Sequence, residues 1–294
     1  MPSEPESLEV ILSTGRWGGS AIASLVLALL LAACSAGHDS TAASSGQLGA
    51  RPAGPTIPST LPSGSHKRCL TSEEMRDEVW FDAPDGAHLS GVVLGQGRTG
   101  VILAHQRWFN LCSWVPFART LAQQGFRVLV FDFRGFGISP PLTGRAGRSL
   151  DLDVAGGLAY LRGQGVDRVV LVGSSMGATS VLMVASQDQP AGQAPVAGVV
   201  SISGPSRFYE MDAGQAVNRL RVPLLLIASE SEGNYTRSAR LLYQNARSHS
   251  KRMVIVPGKV HGIGLLSSGA NGAQLRQLVT TFIQEHAAPV AAPR

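Results

Sequence analysis

The stretch that decides the fold is Val169-Val170-Leu171-Val172-Gly173-Ser174-Ser175-Met176-Gly177-Ala178. Four consecutive aliphatic residues predict a buried strand, and a helix-like stretch over 178–186 follows directly. Gly173, Ser175 and Gly177 fit the pattern G-x-S-x-G at the junction between the two elements. Small residues on either side of Ser175 allow a sharp turn that leaves its hydroxyl above the sheet, where helix N–H groups favour developing negative charge. Ser175 is therefore the candidate nucleophile.

Outward from this stretch, apolar strand-like runs alternate with helix-like stretches. The predicted strands are 79–82, 88–94, 101–104, 128–131, 169–172, 196–202, 224–228 and 253–256. The predicted helices lie around 114–124, 150–162, 178–186, 238–247 and 274–286. This alternation predicts an α/β fold over residues 66–288, in which helices flank a mainly parallel sheet of eight strands. In such a sheet the catalytic and ligand-binding residues lie at the carboxyl ends of the strands.

A nucleophilic serine needs a general base, and in this architecture the chain order is serine, acid, histidine. His261 follows the last predicted strand, whereas His249 precedes that strand and His286 lies in the terminal helix. His261 is therefore the candidate base.

The acid should follow the strand over 224–228. Glu232 is the candidate because it is displaced into the turn after that strand and can reach across to the imidazole. Glu230 and Asp212 remain alternatives.

An oxyanion hole needs two backbone donors. The N–H of Met176 should be one, and the loop after the strand over 101–104 should supply the other. In that loop Arg107 is preferred to Gln106. The side chains of the same loop that we expect to contact substrate are Gln106, Trp108 and Phe109. Packing under the loop is an equal alternative for Trp108, Phe109 and the nearby Trp114.

These motifs resemble the α/β-hydrolase family. The family's D-x-R-G-x-G-x-S turn is matched by Asp132-Phe133-Arg134-Gly135-Phe136-Gly137-Ile138-Ser139. Residues 223–232 resemble the family's acid-bearing strand, and residues 257–262 resemble its histidine loop. The resemblance covers roughly residues 79–286. It implies a serine hydrolase, with a carboxylic ester as the expected small-molecule substrate and no cofactor. A peptidase, amidase or thioesterase with the same triad is the alternative enzyme, and a catalytically silent surface binding protein is the alternative of another class.

The chain departs from the family pattern at two places. His105-Gln106 stands where the family usually has His-Gly, and Glu232 stands where aspartate is commoner. We expect His105, Asp132 and Arg134 to brace loops near the site rather than to act in catalysis.

Two further features bear on the site. The connection over 203–223 has room for one short helix near 211–220, which predicts an open site with a minimal lid or none. Gly95 to Gly100 matches G-x-G-x-x-G but lies between two strands, so it does not predict a dinucleotide site. No metal-ligand spacing appears.

The N-terminal region predicts export. Arg16 precedes the apolar run Ala21 to Ala33, whose 13 residues fall short of the roughly 20 that span a bilayer. The run ends before Cys34 and resembles a bacterial lipobox, which implies a signal peptide over 1–33 and a lipid on Cys34. The expected location is therefore the outer face of the bacterial cell membrane. The Ser-, Ala-, Gly- and Pro-rich residues 34–65 predict a disordered tether, and 289–294 a flexible tail.

Composition excludes other classes. The chain of 294 residues is 44% hydrophobic and 15% charged, so it is not disordered throughout. Its basic residues form no run of five, so nucleic acid is not an expected partner. We expect the protein to be a monomer. In an oxidising compartment Cys69 and Cys112 are expected to form a disulfide, with two buried thiols as the alternative.

Overall fold

The candidate nucleophile lies at the end of a central strand of one large sheet. The computed structural model describes residues 9–12, 69–141, 148–188, 190–267 and 269–287. Its strands are β1 (Glu9–Leu12), β2 (Glu78–Asp82), β3 (His88–Leu94), β4 (Thr99–Ala104), β5 (Arg127–Phe131), β6 (Arg168–Ser174), β7 (Val196–Ile202), β8 (Arg207–Phe208), β9 (Met211–Asp212), β10 (Leu224–Ser229) and β11 (Lys251–Val256). Cys34, the predicted tether, the predicted tail and all of the predicted signal peptide except residues 9–12 lie outside the described residues.

Within the described residues, nine strands form the sheet in the order β1-β11-β10-β7-β6-β4-β5-β3-β2. The six consecutive strands from β11 to β5 run parallel to one another. At the edges, β1 pairs antiparallel with β11, and β3 and β2 continue the sheet antiparallel beyond β5. All eight predicted strands are present, which confirms the expected fold class. The ninth, β1, was not predicted; it lies inside the expected signal peptide and pairs with β11.

Helices cover both faces of the sheet. They are α1 (Val115–Gln123), α2 (Asp151–Gly163), α3 (Met176–Ala185), α4 (Ala213–Ala216), α5 (Asn234–Asn245), α6 (Gly264–Ser267) and α7 (Gly269–Ala287). Side chains of β6 alternate between the two layers, as a strand's period of two requires. Val169 and Leu171 join the core under α2, α3 and α5, whereas Val170 and Val172 join the core under α1 and α7. Because both faces are buried, β6 reads as a continuous apolar run.

The connection from β7 to β10 is short. It contains the β8–β9 hairpin, α4 and one 3₁₀ turn, Val217–Arg219, so it forms no large lid over the sheet. The predicted short helix is present as α4 and this turn. Among the described residues, no helix combines the length and apolarity needed to cross a membrane.

The segment before β2 is attached by two links to α1 and to the 3₁₀ turn Leu111–Ser113 that precedes it. Cys69 and Cys112 are bonded, with 5.5 Å between their Cα atoms. Arg119 of α1 donates to both carboxylate oxygens of Glu74 at 2.6 Å and to the carbonyl of Cys69 at 2.8 Å. The entry to the domain is thereby held beside the helix that follows the loop after β4.

Candidate active site

Ser175 occupies a strained turn between β6 and α3. Its backbone angles are φ 49° and ψ −113°, a conformation that a residue with a side chain rarely adopts. Such strain costs on the order of 1–3 kcal/mol and persists only where the surroundings enforce it. Here the Ser175 N–H donates to the carbonyl of Ile202 at 2.8 Å, which fixes the turn to the end of β7.

The glycines around Ser175 are required by close backbone contacts. A Cβ on Gly173 would lie 2.3 Å from the carbonyl oxygen of Gly177, and a Cβ on Gly177 would lie 2.3 Å from that of Ala104. Both distances are far shorter than van der Waals contact. The tight turn from β6 into α3 therefore requires glycine at 173, and the close packing of α3 against the end of β4 requires glycine at 177.

Glu232 and His261 are joined by a hydrogen bond. Glu232 Oε1 lies 2.7 Å from His261 Nδ1. The glutamate side chain is 2% exposed and the imidazole 33% exposed. The carboxylate is therefore shielded from water while one side of the imidazole stays accessible, and the contact at Nδ1 leaves Nε2 as the nitrogen available for proton transfer.

The second oxygen of Glu232 is also bound. Oε2 accepts from the backbone N–H of Ser229 at 2.5 Å and from Ser203 Oγ at 3.0 Å. Ser203 Oγ accepts in turn from the N–H of Gly262 at 3.0 Å. The fully buried Ser203 thus connects the carboxylate to the residue after His261. Sequence reasoning missed Ser203, although its place directly after β7, at the carboxyl edge of the sheet, was a signal.

The alternative acids and bases are either exposed or in contact with other residues. Glu230 is exposed, and its backbone N–H donates to Val256. Asp212 caps α4 by accepting from the N–H of Gln215 at 3.0 Å, and it forms an ion pair with Arg207. Among the histidines, His249 is exposed and His286 packs against Phe282 in α7.

The two expected oxyanion donors lie at the ends of neighbouring strands. Met176 is the first residue of α3, so its N–H has no acceptor within the helix. Arg107 follows β4 in an exposed loop, and its guanidinium carbon lies 4.3 Å from the ring centroid of Trp108 and 6.0 Å from that of Tyr209. The loop after β4 and the β8–β9 hairpin therefore meet through Arg107.

The aromatic residues of this region divide into two groups. Trp108 and Phe109 are 59% and 42% exposed, so neither packs under the loop. Trp114 is fully buried against Phe117 and belongs to the core.

Gln106 binds the loop that carries His261. Its Oε1 accepts from the N–H of Ile263 at 2.9 Å, and a Cβ on Gly262 would lie 2.0 Å from that oxygen. Gln106 is 8% exposed, so its side chain is committed to the protein. Gln106 stands where the family usually has glycine, and it joins the loop after β4 to the loop of His261. We expected its side chain to contact substrate, and nothing in the sequence pointed to this link.

His105 and Asp132 hold the neighbouring loops. His105 Nδ1 contacts the Gln106 carbonyl at 2.8 Å, and its Nε2 accepts from the N–H of Phe133 at 3.1 Å, an arrangement that requires the neutral ring. Burial lowers the pKa of His105 accordingly. Asp132 accepts from the N–H groups of Leu111 and Ile138 at 2.8 and 3.1 Å.

Arg134 forms a buried ion pair below these loops. It donates to Asp153 at 2.6 Å and to Asp85 at 2.8 Å. Burial raises the pKa of Asp153 to about 6, against the opposing effect of Arg134. These contacts of His105, Asp132 and Arg134 are with backbone groups and with the carboxylates of Asp153 and Asp85, as expected for residues that brace loops.

Comparison with known proteins assigns the chain to a family. A profile of the alpha/beta hydrolase fold matches residues 92–258, more than half of the chain. The chain belongs to the α/β-hydrolase fold family.

Two curated relatives and one solved structure illustrate the similarity. An uncharacterized protein of Mycobacterium tuberculosis (strain ATCC 25618 / H37Rv) is 29% identical over 225 residues, covering 70% of this chain and 75% of that protein. The 2-hydroxy-6-oxononadienedioate/2-hydroxy-6-oxononatrienedioate hydrolase 2 of Pseudomonas putida is 34% identical over 95 residues, 31% of this chain and 33% of that protein. The esterase Pf2001 of Pyrococcus furiosus superposes with a TM-score of 0.61 at 17% identity, over 74% of this chain and 97% of its own. At that identity the superposition shows the shared fold.

Proposed function

We propose that this protein is a serine hydrolase that cleaves carboxylic esters. The observation that carries the proposal is the 2.7 Å contact between Glu232 and His261, at the sheet edge where Ser175 stands in its strained turn. An acid, a base and a nucleophile in this chain order are the components of acyl transfer. The names of the Pyrococcus esterase and the Pseudomonas hydrolase support the same chemistry.

In the proposed reaction Ser175 Oγ attacks the ester carbonyl carbon while His261 Nε2 accepts the hydroxyl proton. Glu232 stabilises the imidazolium that forms, and the N–H groups of Met176 and Arg107 bind the oxyanion. The tetrahedral intermediate expels the alcohol, which takes its proton from His261. Water then attacks the acyl-enzyme by the same steps and releases the carboxylic acid.

Labelling with a fluorophosphonate tests the proposal, because such a probe phosphonylates only an activated serine. We expect the wild type to be labelled and Ser175→Ala to be unlabelled. Ser174→Ala is the matched control, since the buried Ser174 Oγ has no hydrogen-bond partner among the described residues. Labelling that survives Ser175→Ala would place the nucleophile elsewhere. No labelling of the wild type would favour a catalytically silent binding protein.

We also propose that the protein is exported and anchored through a lipid on Cys34. The apolar run that ends at Cys34 supports this proposal. Cleavage before Cys34 would remove β1 and leave the outer edge of β11 unpaired in the mature protein. In a bacterium that processes lipoproteins, the wild type should partition into the detergent-rich phase and Cys34→Ala into the aqueous phase. Equal partitioning of the two proteins would contradict the anchor.

A further inference from the structure

A cavity of about 520 Å³ lies beside the candidate active site, between the segment after β7 and the first turns of α5. Pro205, Arg207 and Phe208 line one wall, and Tyr235, Arg237 and Leu241 of α5 line the other. A volume of this size falls in the range of pockets that hold small-molecule ligands. None of these six residues takes part in the proposed acyl-transfer steps.

Both walls of the cavity begin at residues of the site. The first wall follows Ile202, whose carbonyl accepts from the Ser175 N–H, and its Pro205 carbonyl accepts from Thr179 Oγ1 of α3 at 2.9 Å. Helix α5, which carries the second wall, begins two residues after Glu232, and the ring centroid of Tyr235 lies 4.3 Å from that of His261. The cavity therefore adjoins the imidazole of the candidate base through Tyr235.

The cavity combines apolar surface with one uncompensated positive charge. Phe208, Tyr235 and Leu241 supply the apolar surface. The charge of Arg207 is compensated by its ion pair with Asp212. Arg237 contacts the neutral amide oxygen of Asn234, and no carboxylate pairs with it among the described residues.

We propose that this cavity binds a carboxylate carried by the ester substrate, with Arg237 as its partner. A guanidinium offers a planar pair of donors that matches the two oxygens of a carboxylate, and the apolar walls suit the short chain that links the carboxylate to the ester. The inference rests on the proposed function, and it narrows the substrate class to esters of dicarboxylic acids or of carboxylate-bearing alcohols and phenols.

The test compares esters that differ only in charge. On the acyl side, the 4-nitrophenyl monoester of glutaric acid is compared with the corresponding glutaramic ester, whose terminal amide has nearly the same shape. On the leaving-group side, 4-acetoxybenzoate is compared with 4-acetoxybenzamide. Rates obtained with Ser175→Ala are subtracted, because the glutarate ester also breaks down spontaneously.

We expect the wild type to prefer the carboxylate in one of the two pairs by about tenfold in kcat/KM, and Arg237→Gln to abolish that preference. Arg240→Gln is the matched control, because Arg240 lies on the same helix, is exposed, does not line the cavity and changes the net charge equally. The control should keep the preference. Equal rates within both pairs, or a preference that survives Arg237→Gln, would overturn the assignment.

A binding measurement separates this proposal from the hydrolase proposal. Monomethyl glutarate and 4-acetoxybenzoate, each beside its terminal amide, are titrated into Ser175→Ala by calorimetry, so that no turnover is needed. Tighter binding of the carboxylate in either pair that depends on Arg237 supports the cavity even if no ester is hydrolysed. Equal binding within both pairs contradicts the cavity whatever the catalytic result.

Discussion

At the scale of single residues, the proposed chemistry depends on how the Glu232 carboxylate is held. One of its oxygens contacts His261 and the other accepts from Ser229 and Ser203, so no oxygen of this buried group lacks a donor. Burying a charge is costly unless it is paired or hydrogen-bonded in this way. Both oxygens are therefore compensated while one of them contacts the imidazole, which is the arrangement that orients the ring and stabilises an imidazolium.

Glu232→Gln should lower kcat by about 10²- to 10⁴-fold, because a neutral amide cannot stabilise the imidazolium. Ser175→Ala and His261→Ala should cost more, and by similar amounts, since members of a triad act as a unit. Glu230→Gln removes a carboxylate that is exposed and should change kcat by less than about twofold. Ester hydrolysis by the purified variants measures all four. A larger loss in Glu230→Gln than in Glu232→Gln would contradict the assignment of the acid.

Ser203→Ala should lower kcat by about tenfold with little change in KM. The substitution removes a hydrogen bond to Glu232 and the acceptor of the Gly262 N–H, so the acid and the histidine loop lose their common support. Ser201→Ala is the control, because the Ser201 Oγ is buried near the end of β7, two residues before Ser203, without a hydrogen-bond partner among the described residues. Steady-state kinetics with both variants, together with their unfolding free energies, measure the effect. Equal losses of kcat would show that Ser203 has no special role.

At the scale of elements, the site is assembled where loops from the carboxyl ends of parallel strands are tied together. Gln106 after β4 binds the N–H of Ile263 after β11, and Ser229 at the end of β10 donates through Oγ to the Val260 carbonyl at 2.5 Å. These bonds join three strands that are separated by long stretches of chain. The loop that carries His261 is thus held from two sides.

The attachment of residues 74–77 to α1 should make stability depend on pH. Hydrogen bonds from Arg119 hold the pKa of Glu74 at about 2, below its usual 4.5. A depressed pKa stabilises the folded state above the unfolded pKa, and this contribution is lost as pH falls from about 4.5 towards 2. Glu74→Gln should cost up to about 1 kcal/mol at pH 7, as expected for a pair that water still reaches.

Denaturant unfolding of the wild type and Glu74→Gln at pH 7, 5 and 3 measures this dependence. The difference in unfolding free energy between the wild type and Glu74→Gln should be smaller at pH 3 than at pH 7. Glu73→Gln, a change at an exposed neighbour, should show no such dependence. A difference that stayed constant across the series would mean that the ion pair does not contribute.

At the scale of the whole molecule, the described residues place no large insertion over the carboxyl edge of the sheet. Between β7 and β10 the chain adds only the small β8–β9 hairpin, α4 and a 3₁₀ turn. Large apolar side chains at this edge, Trp108 and Tyr209, are 59% and 40% exposed rather than covered. A site without a large lid offers little apolar surface to a long acyl chain.

We therefore expect kcat/KM for neutral aryl esters to be highest with short acyl chains, since the binding energy of remote methylenes cannot be used. A series of 4-nitrophenyl esters from acetate to palmitate measures this preference. The rate should also show no jump when the substrate forms micelles. A maximum at the long end of the series, or activation at the lipid interface, would contradict the open-site prediction.

The sequence by itself determined the fold class, the family and the place of each element that carries a candidate residue. That information is local: a run of aliphatic residues between turn signals reports a buried strand, and small residues around Ser175 report a tight turn, without knowledge of distant contacts. The eight predicted strands and the family assignment are confirmed for this reason. The catalytic roles of Ser175, Glu232 and His261 stay predictions.

Only the tertiary structure decided which distant side chains meet. Ser203 binds Glu232 across 29 residues of chain, and Gln106 binds Ile263 across 157. Neither contact follows from residue type, because each depends on the order and register in which the strands pair. The cavity walled by the segment after β7 and by α5 has the same origin. Local periodicity specifies the helices and strands. Contacts between residues on different elements form only when the order of the strands brings their ends to one edge of the sheet.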